Sequence, residues 1–219
     1  VLQELQSPLG VSAELRHKLA VKAFAHTAHY DAVISSHLKT RWNLKEKFAE
    51  ETTIGLRKLR NLRYGENPHQ EAAVYRESGA SPWGVVSANI LQGKELSFNN
   101  YLDCEGAWQV VLSFTDPVCA IIKHNNPCGV GVSDKQTDAY KFAFQCDTQS
   151  AFGGIVGLNR EVTADTAEAM SKLFIECVIA PGYTPDALAI LKKKKDIRLV
   201  QPPSSLISSD EFECRQISG

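Results

Sequence analysis

A chain of 219 residues with 43% apolar and 22% charged side chains is long enough for a substantial core and has the make-up of a soluble globular protein. Its formal charge of -1 gives no global electrostatic case for a nucleic acid or membrane partner. No apolar run approaches the roughly 20 residues that span a bilayer, and Val1-Leu2-Gln3-Glu4 shows neither a secretory signal nor an initiator methionine, which reads as a piece of a longer chain.

The six cysteines, Cys104, Cys119, Cys128, Cys146, Cys177 and Cys214, are scattered and form no C-x-x-C pair. That argues against a structural zinc site or a disulfide scaffold and makes a reducing cytosol the expected compartment.

Ser12 to about Leu38 reads as a helix, with Ser12 as cap, Glu14 in the first turn and Leu15, Leu19, Ala23, Phe24 and Ala28 at helical spacing. His26, His29 and His37 fall in or near it. Without an acidic residue at matching spacing they read as solvated histidines rather than metal ligands. Thr40 to about Asn61 is polar and mixed in charge, which predicts an exposed connecting segment and a domain boundary. Its basic cluster Arg57-Lys58-Leu59-Arg60 reads as a solvated face, with anion binding as the other reading. Arg63-Tyr64-Gly65-Glu66-Asn67-Pro68-His69-Gln70 is a loop by its Gly and Asn-Pro, and both a ligand loop and a surface turn fit it.

A helix is predicted from Asp103 to about Phe114, with Asn99, Asn100 and Asp103 as candidate caps. Val118-Cys119-Ala120-Ile121-Ile122 reads as a buried strand, and Lys123-His124-Asn125-Asn126-Pro127-Cys128-Gly129 as the polar turn after it. Ser133 is the expected cap of a helix reaching about Cys146. Gly154 to Asn159 reads as a strand, and Thr163 as cap of a helix holding Ala167, Met170, Leu173 and Phe174. Cys177 to Ala180 is a short strand. Thr184 and Pro185 open a helix closed by Lys192 to Lys195, and Ile197 to Val200 is a last strand. This alternation predicts an α/β domain of three layers, with helices on both faces of the sheet. Residues 202 to 213 read as loop.

Four segments carry candidate chemistry. Lys123-His124 stands where a strand ends, and ligand sites of open α/β sheets lie at carboxyl ends of strands. Such a pair suits proton transfer, and a strand terminus reaching solvent is the other reading. Phe152-Gly153-Gly154 reads as a tight turn or a close approach to a ligand. Glu176 reads as a salt-bridged carboxylate or a ligand contact, and Asn99-Asn100 as helix caps or contacts. A zinc deaminase would need H-x-E before P-C-x-x-C. Here Pro127-Cys128 is followed by Gly131 in place of the second Cys, and no H-x-E precedes it. A Cys128 nucleophile activated by His124 remains open in principle.

Leu62-Arg63-Tyr64-Gly65-Glu66-Asn67-Pro68-His69-Gln70 resembles the opening motif of the transformylase domain in the bifunctional purine biosynthesis family. That family joins phosphoribosylaminoimidazolecarboxamide (AICAR) formyltransferase to IMP cyclohydrolase. Lys123 to Gly129, Ser150 to Gly154 and Ile179-Ala180-Pro181-Gly182-Tyr183 resemble further signatures of it, in order. Lys22-Ala23-Phe24-Ala25-His26-Thr27-Ala28-His29-Tyr30-Asp31 resembles part of the last helix of the cyclohydrolase domain.

The resemblance implies residues 1–40 as the end of a methylglyoxal-synthase-like cyclohydrolase domain and 41–60 as a linker. Residues 61–219 would then be the first part of a cytidine-deaminase-like, three-layer transformylase domain. It implies formyl transfer from the cosubstrate 10-formyltetrahydrofolate to the 5-amino group of AICAR. His124 would accept the proton and Lys123 would steady developing charge. It implies AICAR contacts at Arg63, Tyr64, Asn100, Phe152, Gly153 and Glu176, the last in place of the Asp of some relatives. It implies no metal, no nucleic acid and no membrane partner, a cytoplasmic setting, and a homodimer with its site at the subunit interface. The rest of the site would come from sequence beyond this chain, so the chain alone is expected to be inactive.

Overall fold

A computed structural model describes residues 1–6, 8, 10–44, 48–79 and 81–203. The expected terminal loop from residue 204 onward, with Cys214, lies outside the described residues. The chain forms two compact units, Val1–Leu59 with Tyr75–Ala80, and Arg60–Val74 with Ser81–Gly219.

In the first unit, α1 (Leu2–Leu5) is one turn and α2 (Ala13–Arg41) is a helix of 29 residues. Ser12 caps α2 as its position implies, its hydroxyl accepting from the Leu15 amide at 3.2 Å. The helix runs three residues beyond the expected end, and Lys39 and Arg41 place cations at its negative terminus. Its stripe of apolar residues packs little: only Ala32 is buried, and Phe24 is 77% exposed. The segment expected to be a plain connection ends in a strand, β1 (Leu56–Asn61), which pairs with β2 (Ala73–Glu77). All six residues of β1 are exposed, so no alternation of apolar and polar residues could announce it.

The second unit is built on six strands. In chain order come β3 (Asn89–Gln92), α3 (Phe98–Leu112), β4 (Val118–Lys123), β5 (Asn126–Val132) and α4 (Gln136–Cys146). Then follow β6 (Ile155–Leu158), α5 (Ala164–Ser171), β7 (Cys177–Ile179), α6 (Pro185–Leu191) and β8 (Arg198–Gln201). The order across the sheet is β3-β8-β7-β6-β4-β5. Strands β6, β7 and β8 are parallel and joined through α5 and α6, as parallel neighbours require. Strand β4 is antiparallel to both β5 and β6, so the sheet is mixed.

Strand β4 shows why the layers form. Val118, Ala120 and Ile122 share one core with Cys104, Ala107, Trp108 and Val111 of α3. Cys119 and Ile121 face the other way, into a core with residues of α4, α5 and α6. An unbroken apolar run is the signature of a strand covered on both faces. Each of its isoleucines, buried to 1% exposure or less, contributes about 1.5–3 kcal/mol. The expected α/β class with helices on both faces is what forms. Among the described residues no helix is long and apolar enough to cross a membrane.

Three local expectations change. Helix α3 starts at Phe98, five residues early, because Ser97 and Asn100 form a reciprocal capping box: Asn100 N donates to Ser97 Oγ, and Ser97 N donates to Asn100 Oδ1. Helix α4 starts at Gln136 without a side-chain cap, while the Ser133 hydroxyl accepts from the Lys135 amide in the turn before it. Thr163 does stand at the N-cap of α5, yet its hydroxyl meets that of Thr166 at 3.0 Å rather than a backbone amide.

The largest change is β5. Pro127, Cys128 and Gly129 lie in a strand, where a turn is expected. Strand β5 sits at the sheet edge, where a proline is tolerated. Its glycines let the α4 backbone lie directly on it. A Cβ at Gly129 would stand 2.1 Å from Ala143 O, and one at Gly131 would stand 2.2 Å from Ala139 O. Replacing Gly131 by Ala must push α4 away from the sheet. The expected outcome is a loss of about 3 kcal/mol or more in urea unfolding, against about 0.5 kcal/mol for a change at an exposed position.

Candidate active site

Strand β4 does not end in a loop at Lys123; it doubles back. Lys123 pairs with Asn126, and His124 and Asn125 are the whole turn, with φ of 52° and 61°. Two-residue hairpin turns with both residues left-handed match the twist of the strands they join. The left-handed region is unfavourable for side chains larger than Gly, although His and Asn tolerate it better than most. Two bonds hold the turn: Asn125 N donates to Asp103 Oδ1 at 2.7 Å, and Asn126 Nδ2 donates to His124 O at 3.0 Å. One register step further, Ile121 faces Gly129 and Ile122 faces Pro127, so Cys128 is the extra residue of a bulge.

The hairpin tip is tied to the other candidate segments. Lys123 Nζ donates to Phe152 O at 2.8 Å, leaving the ammonium two further protons to give. Phe152 is 56% exposed, and its ring sits 5.3 Å, centre to centre, from that of Phe174. Gly153 holds φ of 72°, and its amide donates to Phe174 O at 2.8 Å. Glu176 Oε2 accepts from Asn100 Nδ2 at 3.0 Å and stands 4.0 Å from Arg198 Nη1. Asn100 is 5% exposed and spends its oxygen on the α3 cap, which leaves one amide proton for anything else.

Lys123, Gly153, Glu176 and Asn100 therefore form one contiguous region. It lies at the carboxyl end of β4 but at the amino ends of β6, β7 and β8, because β4 runs opposite to them. The rule that ligands meet carboxyl ends thus holds for β4 alone. The Pro181-Gly182-Tyr183 segment falls past the carboxyl end of β7, and the buried Tyr183 hydroxyl donates within the core, 2.8 Å from Val178 O and 3.0 Å from Val200 O. Its place is structural.

Arg63 and Tyr64 stand apart from this network. The Arg63 guanidinium lies 5.7 Å from the Tyr64 ring centre, in a turn closed by Gly65 N donating to Gln70 O at 2.7 Å. Among the described residues no hydrogen bond or ring contact joins either residue to the hairpin. The root of their segment does approach α3. Burial raises the Tyr101 phenol pKa, and the nearby Arg60 charge opposes the rise.

Beside the tip opens a cleft of about 430 Å³, lined by Lys123, His124, Pro127, Cys128, Asp147 and Ser150 among others. The Cys128 thiol pKa is pushed up, first by burial and then by Asp147, with Lys123 opposing. A thiol held protonated is a poor nucleophile, which counts against the Cys-His reading. Among the described residues no group of three or more His, Cys, Asp and Glu could hold a metal ion.

A family model described as the AICARFT/IMPCHase bienzyme matches residues 1–219. The chain belongs to that family. The bifunctional purine biosynthesis protein PurH of Persephonella marina is 47% identical over 224 residues, covering 100% of this chain and 43% of that protein. PurH of Listeria monocytogenes serovar 1/2a is 49% identical over 219 residues, covering 100% of this chain and 42% of that protein. PurH of Myxococcus xanthus is 47% identical over 226 residues, with coverage of 100% and 44%. The chain thus spans less than half the length of these curated relatives.

Within this member of the bienzyme family, two site residues escaped the sequence reading. Asp103, a candidate cap by sequence, braces the turn that carries His124. Arg198 flanks Glu176, and its Nε is buried without a hydrogen-bond partner among the described residues. A charged residue at the head of the apolar run Leu199-Val200 was the available signal. Replacing Asp103 by Ala should speed amide exchange at Asn125 and cost about 1.5–3 kcal/mol, as loss of a bond to a charged acceptor does. Replacing it by Asn, which keeps an acceptor oxygen, should cost less. Mass mapping of alkylated thiols should show the exposed Cys146 reacting well before Cys128, and Cys128 gaining rate only at pH above the usual thiol range.

Proposed function

We propose that this chain is part of a transformylase active site. In the longer bienzyme it would move a formyl group from 10-formyltetrahydrofolate to the 5-amino group of AICAR, ahead of ring closure to IMP. The observation that carries the reading is the β4–β5 hairpin, which presents Lys123 and His124 side by side at its tip and ties Lys123 to the Phe152-Gly153 turn.

The cosubstrate supplies an activated formyl carbon. The acceptor amine is conjugated to its ring, so it is a weak nucleophile and must shed a proton as it attacks. His124 takes that proton through its imidazole at the hairpin tip. Lys123 has one proton on Phe152 O and directs the others at the negative charge that develops on the formyl oxygen or the folate nitrogen. Phe152 offers a half-exposed ring face to the substrate base. Gly153 allows close backbone approach, and Glu176, fixed by Asn100, offers a carboxylate to substrate donors. Arg63 and Tyr64 would bind the nucleotide phosphate, a role suited to a guanidinium fork.

The same reading gives residues 1–40 to the end of a cyclohydrolase domain and 41–60 to a linker. Residues 61–219 become the cytidine-deaminase-like first part of the transformylase domain. It places the enzyme in the cytoplasm as a homodimer with a site completed by further sequence and by the partner subunit. In the longer bienzyme, His124→Ala should lower kcat for formyl transfer by about 10²–10⁴-fold with folding unchanged. The 219-residue chain alone should show no turnover with AICAR and 10-formyltetrahydrofolate. Near-normal transfer by the His124→Ala enzyme would overturn the assignment.

A further inference from the structure

The part of the β1–β2 ribbon that belongs to the first unit, up to Leu59 and from Tyr75, carries a charge arrangement that the hairpin site does not use. Ser78 N donates to Gly55 O at 2.8 Å, and Leu62 N donates to Ala72 O at 2.8 Å. One number rises as the other falls, so the strands are antiparallel, with a one-residue irregularity between the two bonds, and Arg57 and Arg76 reach the wall of the same cavity. Like charges held close together on one ribbon repel. Among the described residues neither guanidinium has an ion-pair partner.

Both arginines line one cavity of about 320 Å³, together with His26, His29 and Tyr30 of α2 and Ser78 just after β2, and among the described residues no carboxylate lines it. The wall is built rather than loose. His29 Nε2 lies 3.3 Å from Ser78 Oγ, and a Cβ at Gly55 would stand 3.1 Å from Val33 of α2. Two permanent cations, two imidazoles and two hydroxyls converge where the ribbon's own charges repel.

We propose that this cavity is a binding site for a small phosphate-bearing anion, held between Arg57 and Arg76 with His26, His29, Tyr30 and Ser78 as further hydrogen-bonding groups. Planar guanidinium forks match phosphate oxygens bidentately, and a doubly charged ligand turns the repelling pair into two attractive contacts. The volume stands at the low end for ligand pockets, which suits a phosphate or diphosphate with little attached. The residues that line the cavity all belong to the first unit, and the inference does not depend on the reading of the hairpin site.

Calorimetric titration of the 219-residue chain and of the longer bienzyme at low ionic strength tests it, with inorganic phosphate, pyrophosphate and AMP as separate probes. Saturable binding with a Kd of about 1 mM or tighter is expected, weakened about tenfold or more by Arg57→Gln or Arg76→Gln. Tightest binding of pyrophosphate assigns a free phosphate compound, and tightest binding of AMP assigns a nucleotide phosphate. Thermal unfolding supplies the control for folding. Without anion, Arg76→Gln should melt no lower than the parent, since it relieves the like-charge pair. Anion should raise the parent's Tm and leave the variant's unchanged. Absence of saturable binding below about 10 mM in either protein, equal binding by the variants, or a lower Tm of anion-free Arg76→Gln each overturns the proposal.

Discussion

The backbone of α4 rests on the backbone of β5, and that contact exists because positions 129 and 131 have no side chain. Everything at the candidate site inherits its position from it. Strand β5 lies at the sheet edge, with a sheet neighbour on one side only, so without α4 pressed on it the hairpin would have little to fix its tip. With α4 in place the hairpin leaves the sheet in one direction. The bulge at Cys128 adds local twist, and Lys123 and His124 come out beside the turn before β6.

The helix on the opposite face serves the same end by other means. Asn100 closes the cap of α3 and holds Glu176; one turn later Asp103 holds the Asn125 amide. A single helix face therefore sets both a carboxylate at the head of β7 and the strained turn at the end of β4. The apolar side chains that alternate along β4 lock the two helical layers to one strand, so the spacing between these polar groups is that of a packed core rather than of mobile loops.

Much of this was legible in the residues. The apolar run Val118 to Ile122 announced a doubly covered strand, and Ser12, Thr184 and Pro185 marked helix starts that formed where expected. The family resemblance, on motifs such as Lys123 to Gly129, agrees with the full-length family match. What was not legible has physical causes. Strand β5 contains Asn, Pro and two Gly, all depleted in strands, and is made by pairing and by helix contact. Strand β1 buries nothing, so it has no pattern to read. The start of α3 rests on a reciprocal Ser97-x-x-Asn100 box that has Asn where such boxes usually carry Glu or Gln. The carboxyl-end rule applies to β4 and not to β6, β7 or β8, a difference that follows from strand direction, which cannot be read from a run of apolar residues.

The bonds that assemble the site span very different lengths of chain. Asn125 reaches Asp103 across 22 residues, Lys123 reaches Phe152 across 29, and Asn100 reaches Glu176 across 76. Loop-closure entropy grows with the logarithm of that length, so the Asn100–Glu176 bond carries about 1 kcal/mol more than the brace at Asp103. The proposed base and its lysine are oriented by near neighbours in sequence, while the carboxylate is delivered only once β7 has docked. Fraying of the parallel strands would release Glu176 first and leave the hairpin tip formed.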